Sequence, residues 1–279
     1  MMHTAKICKT IPDLRGRFPF RIGTTSYILE AGLADNLRFL ADHVDEMQLV
    51  LFETGGLCNI PDADEARALR DFAVERGFAF TVHLPGSIEL GDPDTGVRRA
   101  SRELFLRTVE ATRLLSPICW VFHAVSAEEF RVREKADPGR LRAQVDRARA
   151  ALAELIGAFD NPRDLAIENV LPYFDIIEPG LIEAFDTSTC IDVGHLVCYG
   201  QKVWEHLDAW LPRCRNIHLH GTDKAGRDHT SLAHLAPAFV RRLFLRIADA
   251  PVQTVTMEIF GMEDFHSSMA FLDGLEMRA

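Results

Sequence analysis

The sequence predicts an α/β fold, a single (β/α)8 barrel, and three observations carry that expectation. Short apolar runs rich in Val, Ile, Leu and Phe alternate with amphipathic stretches, as the strands and crossover helices of a parallel sheet do. Eight such runs and eight helical stretches are present, the count that closes a barrel. No composition shift and no Ser/Gly-rich linker divides the chain. The competing architecture, an open doubly wound sheet, usually carries a Gly-rich turn after its first strand, and Gly23-Thr24-Thr25-Ser26 is not one.

The strands are expected at residues 20–27, 47–53, 79–84, 119–123, 165–169, 189–193, 216–220 and 252–260. Most show little polar alternation, as strands buried on both faces should. Between them, helices are expected at 33–43, 63–76, 97–115, 140–159, 179–185, 203–211, 237–247 and 263–275. Residues 63–76 carry apolar side chains at helical spacing and stop at Gly77, a C-cap. The stretch 97–115 closes just before Pro117, and 140–159 is amphipathic and rich in Arg and Ala. Residues 1–19 read as an N-terminal extension and 20–279 as the barrel domain.

Composition narrows the function. Hydrophobic residues at 47% and charged residues at 26% are those of a soluble globular protein. No apolar run approaches the ~18 residues of a membrane helix. The first residues lack the apolar core of a signal peptide, so a cytoplasmic location and no membrane partner are expected. The cysteines, Cys8, Cys58, Cys119, Cys190, Cys198 and Cys214, form no CxxC pair and read as reduced thiols. A net charge of −10 disfavours nucleic acid, whose phosphates call for Lys and Arg, and favours a small-molecule substrate.

The informative pattern stands at the strand ends. Glu53, His83, His123, Glu168, Asp192 with His195, His218 with His220, and Glu258 all fall where such strands finish. Active sites of these barrels lie at the C-terminal face, so the side chains are expected to converge on one mouth. Alone, each is an ordinary capping or loop residue. Together they are too many costly polar groups to bury separately, and divalent cations would satisfy them at once. Imidazoles and carboxylates suit zinc first, with manganese or iron also accommodated. Residues two apart on a strand face the same way, so His218 and His220 can both point into the mouth. Asp192 and His195, three apart across Gly194, can diverge toward different ions. The polar loop Gly226-Arg227-Asp228-His229-Thr230-Ser231, and the segments 86–94 and 124–138, are long enough to border a ligand pocket.

His83-Leu84-Pro85, Ile167-Glu168-Asn169, Asp192-Val193-Gly194-His195, Ile217-His218-Leu219 and Asp228-His229-Thr230-Ser231-Leu232 resemble segments of the endonuclease IV and xylose-isomerase-like TIM-barrel superfamily. The resemblance runs from about Phe20 to Phe260. Within it, the stretch from Phe18 to Tyr27, Leu49-Val50-Leu51-Phe52-Glu53 and Thr81-Val82-His83-Leu84-Pro85 resemble the cobamide-remodelling phosphodiesterases, which hydrolyse the phosphodiester joining the nucleotide loop to the corrinoid ring.

The resemblance implies two or three ions. His83 and His123 would hold one, with Glu168 bridging to a second that Asp192, His218 and Glu258 complete, and His195 and His229 would hold a third. Glu168 and Glu258 are the expected catalytic residues, with an attacking water near Glu168. Two residues before His229 the endonuclease pattern has an acid, whereas this chain has Arg227, with Asp228 adjacent. Glu53 and His220 have no ligand counterpart, and with Arg227 and Asp228 they are expected to contact substrate. Three other functions share parts of this pattern. A sugar isomerase or epimerase needs only Glu168, Asp192, His218 and Glu258 around one ion. Abasic-site DNA repair shares the cluster, and a corrinoid-binding protein would bind a cobamide without cleaving it.

Overall fold

In the computed structural model the described residues are 10–124, 138–170 and 178–277. Eight parallel strands close into a barrel. They are β1 (Arg21–Thr25), β2 (Glu46–Val50), β5 (Ala79–His83), β6 (Trp120–Phe122), β7 (Leu165–Glu168), β8 (Ser188–Asp192), β9 (Cys214–Leu219) and β10 (Thr254–Met257). Each pairs with its neighbour in chain order, and β1 closes the ring on β10, with Arg21 opposite Thr254. The predicted (β/α)8 TIM barrel is the fold observed. A short hairpin, β3 (Glu53–Thr54) and β4 (Leu57–Cys58), leaves the ring after β2. The helices around the barrel are α1 (Leu33–Leu40), α2 (Ala63–Arg76), α3 (Thr95–Thr112), α4 (Pro138–Leu155), α5 (Val193–Cys198), α6 (Val203–Trp210), α7 (Pro237–Ile247) and α8 (Met262–Asp273). Residues 178–183 form a π-helical turn where 179–185 was expected as a helix.

Local chemistry sets the helix ends. Asp62 caps α2 by accepting from the Asp64 and Glu65 amides, and Gly77 ends it in the left-handed region at φ 64°. Asp94 caps α3 in the same way, which starts that helix two residues before the expected 97. The second strand stops at Val50 rather than at 53, because Gly55 and Gly56, at φ 57° and 82°, turn the chain back as a hairpin. Asp192 ends β8 and also caps α5 through the His195 amide at 2.7 Å. Helix α5 therefore begins inside what reads as strand and loop.

Most apolar side chains pack between sheet and helices, with Leu49, Val82, Ile191, Ile217 and Val255 fully buried there. A smaller apolar cluster of Cys119, Val121, Ala166 and Cys190 is separate from it. Side-chain hydrogen bonds link strands across the barrel interior. Glu46 on β2 accepts from the Thr81 amide at 3.1 Å and from Thr256 Oγ1 on β10 at 3.1 Å. Strand β1 lies between β2 and β10, so the Glu46 carboxylate must pass over it. Gly23 makes this possible, since a Cβ there would stand 1.7 Å from Glu46 Oε2. Period-two alternation then carries the inward rows upward, from Thr81 to His83, Asn216 to His218 and His220, and Thr256 to Glu258.

Of the cysteines, Cys58, Cys119, Cys190, Cys198 and Cys214 are free, with Cys58 exposed. No described helix is long and apolar enough to cross a membrane. Residues 125–137, most of the expected second pocket segment, lie outside the described residues, as do residues 1–9 of the N-terminal extension.

Candidate metal centre

At the C-terminal ends of the strands, Glu168 occupies the middle of a buried imidazole and carboxylate cluster. Its Oε2 lies 3.1 Å from His123 Nε2 and 3.3 Å from His83 Nε2. Its Oε1 lies 3.3 Å from His218 Nδ1 and 3.9 Å from His195 Nδ1. Glu258 Oε2 approaches His218 Nδ1 at 3.1 Å and His229 Nε2 at 3.4 Å. Asp192 faces His195 Nδ1 with Oδ2 at 3.0 Å and His220 Nε2 with Oδ1 at 3.4 Å. The side chains of Glu168, Asp192, His218 and His220 are fully buried.

The electrostatics follow from this packing. Burial alone would raise the carboxyl groups, but the His218 and His123 imidazoles hold Glu168 well below the usual carboxylate range. Glu258 is held low against burial chiefly by His218, and Asp192 by His195 and His220. Burial lowers the imidazoles in turn, yet the carboxylates win. His195 is lifted to about 10, mainly by Asp192, and His229 to about 9, mainly by Glu258. His83 and His218 are also raised.

Unpaired atoms test whether cations fit here. Glu168 Oε1, Asp192 Oδ2, His195 Nδ1, His218 Nδ1, His220 Nε2 and Glu258 Oε2 are buried and make no hydrogen bond. Buried polar atoms short of a hydrogen bond are costly, and these stand 3.0–3.4 Å from opposite charges within one cluster, a geometry that a shared cation would satisfy. Among the described residues, ligand atoms within 4.8 Å of one another form four sets that could hold an ion. They are His83, His123 and Glu168; Glu168, Asp192, His218 and Glu258; Asp192, His195, His220 and His229; and Glu168, Cys190 and His218. These are donors for zinc, manganese or iron.

A family model described as xylose isomerase-like TIM barrel matches residues 44–246. The chain belongs to the xylose isomerase-like TIM barrel family. Solved structures share its architecture at low identity. A D-tagatose 3-epimerase-like protein superposes with a TM-score of 0.67 at 17% identity, covering 91% of this chain and 96% of its own. The 3-keto-D-glucoside 4-epimerase of E. coli gives 0.65 at 14%, covering 92% and 98%. The protein SacUVDE gives 0.63 at 13%, covering 92% and 99%. No curated protein matches this chain.

Within this xylose isomerase-like barrel, neighbouring groups orient the cluster. His83 Nδ1 lies 2.8 Å from the Leu84 carbonyl, so a proton there leaves Nε2 free toward Glu168. Asn169 grips the Asp192 backbone twice, donating to its carbonyl at 2.9 Å and accepting from its amide at 2.8 Å. The Gln48 amide on β2 lies 2.8 Å from His218 Nε2. His229 is held at φ 52°, a left-handed conformation that β-carbon residues seldom adopt.

The remaining residues singled out from the sequence divide. His220 sits inside the cluster rather than around it, its ring stacked on His229 at 4.2 Å between centroids. Asp228 Oδ1 reaches His229 Nδ1 at 3.2 Å. Arg227 is 77% exposed and pairs with Asp223 at 2.7 Å in its own loop. Glu53 lies on the hairpin and pairs with Arg107 at 2.5 Å. That pair lines a surface cavity of about 600 Å³ with Ser87, Val97, Ser101 and Leu104. Sequence reasoning passed over Gln48, whose only signal was an amide within an apolar strand run. Asn169 carries no signal of its own in the sequence beyond following Glu168.

Proposed function

We propose that this chain is a metal-dependent phosphodiesterase of the cytoplasm whose substrate is the nucleotide-loop phosphodiester of a cobamide. One observation carries the phosphodiesterase reading. Glu168, Asp192, His218 and Glu258 already make a complete one-ion set, yet His83 and His123 crowd the other oxygen of Glu168 and three more imidazoles face Asp192 and Glu258. A one-ion isomerase has no use for five additional imidazoles. A phosphodiester, with charged non-bridging oxygens and a poor leaving group, does.

His83, His123 and Glu168 would hold one ion, Glu168, Asp192, His218 and Glu258 a second, and His195 and His229 a third. Such ions, zinc best and manganese or iron next, supply Lewis-acid charge for the phosphate oxygens and the attacking water. Glu168, with one oxygen toward each side of the cluster, orients the reacting groups. Glu258, between His218 and His229, does so at the opposite wall. His220 and Asp228 border this space, and Arg227 places a cation on the loop above it for an anionic substrate. Glu53 and Arg107, on the adjacent hairpin and α3, offer a second polar contact for a substrate as large as a cobamide. The cobamide itself rests on the resemblance of the segments around Phe20, Leu49 and Thr81. A net charge of −10 favours it over duplex DNA.

A sugar epimerase is the second reading, favoured by the four-ligand set and by the several sugar epimerases among the structural neighbours. Incubation with an intact cobamide, an abasic-site duplex and a ketose panel, with and without chelator, separates them. Chelator-sensitive release of the cobamide nucleotide is expected. Glu168→Gln should slow it by about 10³-fold, some 4 kcal/mol of lost transition-state stabilisation. Hydrolysis by that variant at the wild-type rate would overturn the proposal.

A further inference from the structure

Arg227 stands where an acid would help hold the third ion, and its guanidinium is turned to Asp223 and solvent. The loop therefore supplies His229 without that acid. What occupies the space beside Asp192 and His195 instead is the ring of His220, from the end of β9.

We infer that His220 is a metal ligand, completing with Asp192, His195 and His229 a site whose fourth donor is an imidazole rather than a loop carboxylate. This assignment rests on the multinuclear reading proposed above and adds a ligand to it. The four ligand atoms lie within 4.8 Å of one another. His220 Nε2, His195 Nδ1 and Asp192 Oδ2 are each buried without a hydrogen bond. The contact from Nε2 to Asp192 Oδ1, at 3.4 Å, is too long and misaligned for a good hydrogen bond, so Asp192 alone does not satisfy the ring. A cation satisfies all three atoms together. One carboxylate with three imidazoles is a zinc-type donor set.

The chain is built around this ring. A Cβ on Gly194 would fall 2.4 Å from both Cδ2 and Nε2 of His220, so glycine in the Asp192-Val193-Gly194-His195 turn is what lets the ring reach its position. On the far side, Nδ1 accepts from the His229 amide at 3.1 Å and lies 3.2 Å from the Gly221 carbonyl. Ligation moves the ring proton to Nδ1, where the Gly221 carbonyl accepts it at the expense of the His229 amide bond, and leaves the Nε2 lone pair for the ion. A proton on Nε2 would have Nδ1 accept from the His229 amide and would forbid ligation.

Metal content and ring protonation decide between these. Wild-type protein, His220→Ala and Gly194→Ala are loaded with zinc, dialysed and assayed for metal per chain, with circular dichroism to confirm folding. His220→Ala should lose about one ion per chain relative to wild type. Gly194→Ala, which removes no ligand but displaces the ring, should lose the same ion. Retention of wild-type metal content by His220→Ala overturns the assignment. Should either variant fail to fold, long-range proton–nitrogen correlation on zinc-loaded wild type reads the ring directly. A proton on Nδ1 of His220 with Nε2 metal-shifted is expected, and a proton on Nε2 overturns the assignment. A single ion in wild type would instead overturn the multinuclear reading as a whole, whereas equal, multiple ions in wild type and His220→Ala would overturn only the role of His220.

Discussion

Loading the metal-free protein with zinc should drive protons off His195 and His229, and the structure sets how many and at what cost. Burial disfavours both imidazoliums, but Asp192 lifts His195 to about 10 and Glu258 lifts His229 to about 9. At pH 7 both rings are therefore charged, about three and two units below their pKa values. A ligating nitrogen must first lose its proton. Displacement then costs about 4 kcal/mol at His195 and about 3 kcal/mol at His229, at about 1.36 kcal/mol per unit. Each displaced proton makes the apparent affinity rise about tenfold per pH unit, so the ion sharing both rings should bind about 10⁴-fold more tightly at pH 8 than at pH 6. Titration calorimetry in buffers of different ionisation enthalpy should read at least these two protons released per chain, with His83 and His218, also raised, adding to the total. The metal-free fold carries the complementary signature. Its raised imidazoles contribute stability fully below their unfolded value near 6.5, and that contribution is lost as pH rises through about 9 and 10. Affinity that stays flat from pH 6 to 8, with no proton release, would refute the reasoning, because the rings would then be neutral before zinc arrives or would never bind it.

Three further outcomes are expected. Asn169→Ala strips two hydrogen bonds from the buried Asp192 backbone and should lower stability by about 2–4 kcal/mol, read by denaturant unfolding, while weakening zinc binding about 10–100-fold. Glu46 is pushed up to about 7 by burial, so its carboxyl favours the folded state most below pH 4.5 and loses that advantage as pH rises through 7; Glu46→Gln should be more stable than wild type at pH 8 by up to about 3 kcal/mol, and equal stability at pH 8 would contradict the shift. Gly23→Ala drives a methyl into Glu46 Oε2 and should cost about 3 kcal/mol or more by thermal melting, with partial relief in the double variant that also shortens Glu46 to Ala.

Much of this was legible in the linear chain, for reasons that are local. Strand runs and helix ends depend on residues close in sequence, so the α2 bounds at Ala63 and Arg76 follow from its apolar spacing and the Gly77 stop. The ring of acids and histidines at the strand ends follows from the barrel alone, since parallel strands all present their C-termini to one face. Tertiary structure decided what depends on distances between strands. Glu53 reads as another strand end, yet the Gly55-Gly56 turn carries it onto a hairpin and into a pair with Arg107, a residue on α3. His220, two residues past His218, reads as an outer contact until Gly194, from a different strand end, is seen to vacate the volume its ring fills. Glu46 shows no function in its own strand because its partners, Gly23, Thr81 and Thr256, come from β1, β5 and β10. Residue type and spacing thus determined that cation ligands would gather at one mouth. Which atoms face which, and therefore which residues share an ion, was decided only by the closure of the barrel, because those contacts join residues remote in the chain whose separations no local rule encodes.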